Sequence, residues 1–454
     1  MHTTPPQSAA ASAPAVSSLL DRKWYRYYVL ALLFVTYVLN VIDRSPVLGV
    51  SLQFIKTEFD ASDTQLGLLT GIAFALFYST MGIPIAAWAD RSSRRNVLAL
   101  AVALWSGMTA LCGAAVNFAM LFAARVGTAI GEAGGSPPSH SLISDYFPKT
   151  ERGRAFAIFA LGVPIGTAIG NYIAGQSVQA FGWRTTFMLV GLPGLLVGLI
   201  VRLTVIEPPR GYADGAAVTA RAARTRPPGM FEALGILWQR RAFRHLSLAA
   251  ALHSVAWYAS GAFNAAFLIR SHQMTAAEAG SWLTVFSAVG ALGTFFGGYA
   301  ADRLSARTAD KRWYLWVPGA ATLGMVPFQF AAYLSNDLSL AFTSFSIMMF
   351  LAAVFFGPSF AMTQGLATLR MRSVATSLLL FIQTLIGYGL GPLAAGRISD
   401  WLMPAYANES LRYALVIVGL VNIWAAAHYF WGTRTLREEL AATEAANQPG
   451  GSAP

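Results

Sequence analysis

Twelve long apolar runs, separated by short polar or turn-forming breaks, account for most of this 454-residue chain. They fall at 24–52, 62–89, 95–115, 117–140, 152–178, 183–206, 243–270, 277–301, 312–334, 338–365, 372–402 and 408–432. A helix needs about 20 apolar residues to cross the hydrocarbon core of a bilayer, so each run predicts one spanning helix. The third and fourth runs are divided only around Asn117. The longest break, 207–241, is rich in Pro, Arg and Gly and divides the spans six and six. Within it, Phe231-Glu-Ala-Leu-Gly-Ile-Leu-Trp238 has helical periodicity and predicts an amphipathic helix lying on the membrane face. The domain plan is a disordered tail over 1–20, bundles over 21–206 and 242–435, the linker between them, and a second tail over 436–454.

Composition narrows the class. The chain is 55% hydrophobic and 12% charged, against about 25% charged in an ordinary soluble domain. The expected fold is an all-α polytopic membrane protein with two six-helix bundles. A single Cys112 supports neither an intramolecular disulfide nor a multi-cysteine metal site. The net charge of +11 comes from 32 Lys and Arg. With the N-terminus inside, 25 of these fall on the inner side, five on the outer side (Lys56, Arg184, Arg270, Arg397, Arg412) and two within spans. That asymmetry predicts both termini in the cytoplasm and a place in the inner membrane. It also removes a nucleic-acid partner, because the basic excess is spread over short loops.

The halves repeat. After the second run comes Ala86-Ala-Trp-Ala-Asp90-Arg91-Ser-Ser-Arg94-Arg95, and after the eighth Gly298-Tyr-Ala-Ala-Asp302-Arg303. A repeat six spans apart is a known transporter design. These loops resemble the Gly-x-x-x-Asp-Arg-x-Gly-Arg-Arg signature of the major facilitator superfamily, with Ala86 and Ser93 where Gly is usual. The resemblance implies a cytoplasmic gate carried by Asp90, Arg91, Arg94, Arg95, Asp302 and Arg303. Further stretches resemble the Spinster branch: Val41-Ile-Asp43-Arg44, Arg125-Val-Gly-Thr-Ala-Ile-Gly131-Glu132, Ser144-Asp145-Tyr-Phe-Pro148 and Glu207-Pro-Pro-Arg-Gly211. Animal Spinster proteins are linked to export of sphingosine phosphate or lysophospholipids, so the resemblance implies a lipid cargo.

Four strong charges lie deep within spans: Asp43 and Arg44 on the first, Arg125 and Glu132 on the fourth. Charges in hydrocarbon are costly and mark pathways or proton relays. Helical rise puts Asp43 near the depth of Arg125, which predicts the pairs Asp43–Arg125 and Arg44–Glu132. The second half offers only scattered polar and aromatic groups. With Tyr37 of the first span, His253, Tyr258, Asn264, Phe286, Gln364 and Gln383 are the expected cavity lining.

These observations predict a monomeric, alternating-access secondary transporter, in contact with membrane lipids, that moves a single-tailed amphipathic lipid. No Gly-x-x-x-x-Gly-Lys-Ser/Thr nucleotide loop is present. No cofactor or metal is expected, and the energy source is the proton gradient. The alternatives are proton-driven efflux of lipophilic drugs or another small organic solute, and a lipid-modifying enzyme built on His140 and Asp145. A non-enzyme is preferred, since no second His or acidic cluster joins that pair.

Overall fold

The computed structural model describes residues 19–214, 230–368 and 371–447, and every regular element among them is helical. The first span is Lys23–Arg44 continued by Pro46–Phe59. The second is Asp63–Arg91, the third Arg94–Gly113, and the fourth Phe118–Ala133 with Ser136–Tyr146. The fifth span is Lys149–Ala160 continued from Gly162, and the sixth ends at Thr204; the two helices meet at a sharp kink at Gly182, whose φ of 79° only glycine adopts freely. The linker helix is Met230–Gln239. Spans seven to nine are Arg241–Ser271, Ala276–Thr308 and Trp313–Leu334. The tenth is Leu338–Ala353 with Phe356–Gly365. The eleventh runs from Arg372 through a π-turn, Gln383–Tyr388, to Tyr406, and the twelfth from Ser410 to Ala446.

Local chemistry sets these ends. Ser62 with Gln65, and Thr275 with Glu278, form reciprocal capping boxes at the starts of the second and eighth spans. Asn117 caps the fourth through the Met120 N–H, so one polar residue suffices to turn the chain. Several ends run past the sequence reading, among them the fourth span at Tyr146 and the eighth at Thr308. The first span continues to Phe59, where Asp60 in the left-handed region ends it with its N–H on the Lys56 carbonyl, and Lys56 reaches on to Asp63. The final helix continues to Ala446, through much of the expected tail. Its Glu439 accepts from the Ala242 N–H and its Thr443 from Arg240, so packing extends an Ala-rich stretch that already favours helix. The expected tail residues 1–18 and 448–454, and linker residues 215–229, lie outside the described residues.

Both bundles begin and end on one face, called here the terminal face; the other is the far face. The apolar core shows how they meet. One cluster joins both bundles toward the far face, with Leu48, Leu69, Phe187, Phe263 and Phe345 among its members. Toward the terminal face the core divides in two. One part holds Leu33, Trp105 and Leu142 of the first bundle, the other Phe243, Leu366 and Leu436 of the second. The linker helix packs on the second through Leu237. The bundles are therefore sealed together at the far face and separate at the terminal face.

Small residues make the seal. Gly175 of the fifth span and Gly280 of the eighth are so close that a Cβ on Gly175 would lie 2.9 Å from the Gly280 Cα. Gly67 of the second span packs directly on the Pro392 backbone of the eleventh. Backbones that approach this closely exclude water and lipid.

Candidate functional site

The first span breaks at Ser45, where Pro46 brings no N–H and restarts the helix. The last carbonyls of Lys23–Arg44 are thereby left without helical donors. Arg125 supplies them: its Nη1 donates to the Asp43 carbonyl at 3.2 Å and its Nη2 to the Arg44 carbonyl at 2.9 Å. The expected Asp43–Arg125 carboxylate pair is thus not formed, because the guanidinium is committed to backbone. The Asp43 carboxylate instead accepts from Thr109 Oγ1 at 3.4 Å.

The other expected pair is present. Arg44 Nε donates to Glu132 Oε2 at 2.8 Å, and Arg44 Nη2 to Asn40 Oδ1, one turn back, at 2.9 Å. The two partners differ in access: the Arg44 side chain is 24% exposed and Glu132 is fully buried behind it. The rings of Phe74 and Tyr78 lie 5.1 and 4.9 Å from the guanidinium carbon. Asp43 Oδ1, Glu132 Oε1, Arg125 Nε and Asn40 Nδ2 are buried without a hydrogen-bond partner among the described residues. The quartet therefore retains unused capacity to bind a proton or a polar group.

The second bundle reaches this site through aromatics. Tyr388, in the π-turn, lies 5.1 Å from Phe74 and 4.5 Å from Tyr258, with its hydroxyl 3.4 Å from Ser45 Oγ. Phe74, Tyr78 and Tyr388 were not anticipated from the sequence. Apolar aromatics in apolar helices carry no contrast, although the glycines at 387 and 389 mark where the turn places Tyr388.

The expected lining divides by helix face. Tyr258 reaches the site through Tyr388, Gln383 is buried at the start of the turn that carries Tyr388, and Tyr37 stacks on Phe159 at 4.5 Å within the first bundle. His253 and Asn264 do not line it. They are eleven residues apart, which returns them to one helix face about 140° from Tyr258. That face packs inward: His253 bonds Asn422 and the Ala352 carbonyl, and Asn264 accepts from Tyr333 at 2.8 Å. Phe286 lies in the second bundle's core, stacked on Phe345 at 4.5 Å. Gln364 is exposed at the terminal end of the tenth span.

The repeated loops keep their charges within their own bundles. Asp90 faces Arg210 at 3.8 Å, largely exposed, and Arg91 is exposed nearby. Arg94 is not the free arm that the motif implied: it is buried, bound to Asp145, Glu207 and the Pro208 carbonyl. Burial would raise the Glu207 carboxyl, but the Arg95 N–H, Arg94 and Ser93 outweigh it and hold it below the ordinary glutamate range. In the second bundle Asp302 accepts from Tyr314, and Arg303 lies over Tyr299 at 5.9 Å. Arg312, against the opposing effect of burial and with Arg437 assisting, holds Asp310 well below its usual value. The proposed catalytic pair is absent: Gly211 N–H and Arg94 take the Asp145 carboxylate, while His140 packs edge-on against Phe156 and Phe159.

The far face holds a cross-bundle cluster that charge counting treated only as topology. The Asp63 carboxylate, fully buried, accepts from Arg270 Nη1 and Nη2 at 2.8 and 2.9 Å, Lys56 Nζ at 2.7 Å and Ser399 Oγ at 2.7 Å. The Asp400 carboxylate accepts from the N–H groups of Asp63 and Thr64 at 2.9 and 2.8 Å. An acid of the eleventh span thus caps the positive end of the second.

Twelve spans in two bundles, with paired charges at their meeting point and one sealed face, define a secondary-transporter architecture. The chain belongs to the Major Facilitator Superfamily, whose profile matches residues 33–252 and 246–452. It is similar to a bacterial homologue of the human lysosomal transporter Spinster, solved in an inward-facing, unoccupied conformation. That likeness has a TM-score of 0.84 and 35% identity, covering 92% of this chain and 99% of the other. An efflux pump of Mycolicibacterium smegmatis is 30% identical over 92% of this chain and 94% of its own. A sphingosine-1-phosphate transporter of Danio rerio is 27% identical over 85% and 80%. Relatives at 25% to 29% identity include several named as sugar-acid transporters. The protein is a superfamily transporter with Spinster-like relatives.

Proposed function

We propose that this transporter moves a single-tailed anionic or zwitterionic lipid across the inner membrane, coupled to protons, by alternating access. The observation that carries the reading is the unequal exposure of the Arg44–Glu132 pair. A solute entering between the bundles meets a guanidinium first, and Arg presents a planar fork of donors suited to phosphate or carboxylate. Protonation of Glu132 releases Arg44 to the arriving head group, and deprotonation recaptures it. The aromatic wall of Phe74, Tyr78, Tyr258 and Tyr388 favours the start of an apolar chain over a hydrophilic one.

The positive-inside asymmetry supports a cytoplasmic terminal face, and on that reading the separated terminal ends are an inward-open state. The repeated Asp90 and Asp302 loops then engage only in the opposite state, when the bundles close at that face. Efflux of lipophilic cations is the second reading, favoured by the aromatic ring and by the efflux-pump relative.

Binding assays on purified protein separate the readings. Arg44→Ala should lose lysophospholipid and sphingoid-phosphate binding and spare cationic dyes. Arg44→Lys should recover part of the affinity, because a point charge does not reproduce the fork. A small sugar acid should bind weakly, since it leaves the aromatic wall uncovered. Full lipid binding by Arg44→Ala would sink the lipid assignment.

A further inference from the structure

At the terminal face, where the start of the seventh span meets the end of the twelfth, Arg241, His245, Trp431, Arg434 and Thr435 line an open pocket of about 320 Å³. We infer that this pocket holds the head group of a resident anionic phospholipid, at a site separate from the transport pathway.

The side chains are those an anionic ester would need. Arg241 and Arg434 are exposed and make no hydrogen bond or ion pair with the described residues. Two guanidinium groups therefore converge on one cavity with their donors unspent. His245 and His428 share a proton between their Nδ1 atoms at 2.9 Å, one ring donating and the other accepting, which leaves His245 Nε2 for another partner. Thr435 Oγ1 is buried and unpartnered, although a helical threonine commonly bonds the carbonyl four residues back. Glu439, an acid on the same helix, is engaged by the Ala242 N–H at 3.0 Å.

A lipid rather than a soluble anion is indicated by what adjoins the pocket. Leu420, Ile423, Trp424, Phe430 and Trp431 are exposed and recur at spacings of three, four and seven along the twelfth span. That spacing puts them on one helix stripe, ending at the basic pocket. An apolar stripe on a spanning helix faces acyl chains, and Trp at its end sits at head-group depth. A phosphodiester in the pocket with its chains along the stripe satisfies both halves of the surface. Basic pockets between spans on this face suit phosphatidylglycerol or cardiolipin; a choline head would bring its own cation against the two arginines.

Native mass spectrometry of the full-length protein, titrated with phosphatidylglycerol and separately with phosphatidylcholine, tests this. Wild type should retain a phosphatidylglycerol adduct and bind phosphatidylcholine much more weakly. Each of Arg241→Gln and Arg434→Gln should weaken the adduct roughly fivefold, and the double variant about 25-fold. Thermal stabilisation by phosphatidylglycerol should vanish in the double variant while its melting temperature in neutral detergent is unchanged, which checks that it folds. Arg44→Ala should keep the adduct. Undiminished binding by the double variant, loss of the adduct in Arg44→Ala instead, or full displacement by millimolar inorganic phosphate would each overturn the assignment.

Discussion

The two faces of this transporter treat charge in opposite ways. At the far face, acids and bases of different bundles are buried together: Asp63 on Arg270, Asp400 on the second span's first N–H groups. At the terminal face the buried ion pairs each stay within one half of the chain, Arg94 on Asp145 and Glu207, Asp310 on Arg312 and Arg437. Cross-bundle ion pairs bias a conformational equilibrium, because they exist in one state and are broken in the other. Pairs within a bundle stabilise that bundle in every state. The difference separates residues that select a conformation from residues that hold a domain together.

The sharpest way to break this comparison is Arg270→Ala. It leaves the buried Asp63 without its bidentate partner, a loss of about 3–5 kcal/mol confined to the far-closed state. Spin-label distances across the far face should lengthen, while those within one bundle should not. Introduced cysteines can be labelled selectively, since the native Cys112 is buried. An unchanged far-face distribution would remove Arg270 from the seal.

Arg94→Lys should act next most strongly, and differently. It keeps the charge but loses the fork to Glu207, Asp145 and Pro208, costing roughly 1.5–3 kcal/mol of stability. Thermal unfolding should fall with no change in the balance of states. A shift in spin-label distances without a stability loss would reverse the assignment.

Acid should weaken the same contact. Glu207 has a lowered folded pKa, so its stabilisation is fully present above the ordinary glutamate value of about 4.3 and is lost as pH falls through the folded value. Melting curves of wild type and Glu207→Gln should therefore converge as pH drops below that range. Parallel curves down to the lowest pH would contradict it.

Asp90→Asn should have the smallest effect on stability, under about 1 kcal/mol, because its partner lies 3.8 Å away in largely exposed surroundings. Its effect should appear instead as a loss of terminal-closed molecules under conditions that populate that state. A large melting shift with unchanged populations would place Asp90 among the structural residues.

Much of this architecture was legible in the chain. Run length fixed the number of spans, and the six-span repeat of the Asp-Arg loops divided them. The four intramembrane charges announced themselves by their cost, and the Arg44–Glu132 pair followed from spacing along two antiparallel helices. The Arg125 contacts did not follow, because a helix break at Ser45–Pro46 exposes carbonyls that no residue pattern advertises. Tyr388 depends on a π-turn, which rotates one side chain relative to the α-helical count. The far-face seal was hidden for another reason. Lys56, Asp63, Arg270 and Asp400 lie at helix ends, where charges are ordinary, and only the closeness of Gly67 to Pro392 and Gly175 to Gly280 brings them together.

The central claim is that Glu132 couples a proton to the cargo through Arg44. Proteoliposomes loaded with a labelled lysophospholipid, with and without an imposed pH gradient, test it directly in wild type and Glu132→Gln. Glu132→Gln mimics the protonated acid and leaves Arg44 permanently free. The account predicts that wild type accumulates cargo in response to the gradient, while the variant binds cargo but shows the same transport with and without it. Accumulation by Glu132→Gln with the wild-type pH dependence would contradict the account.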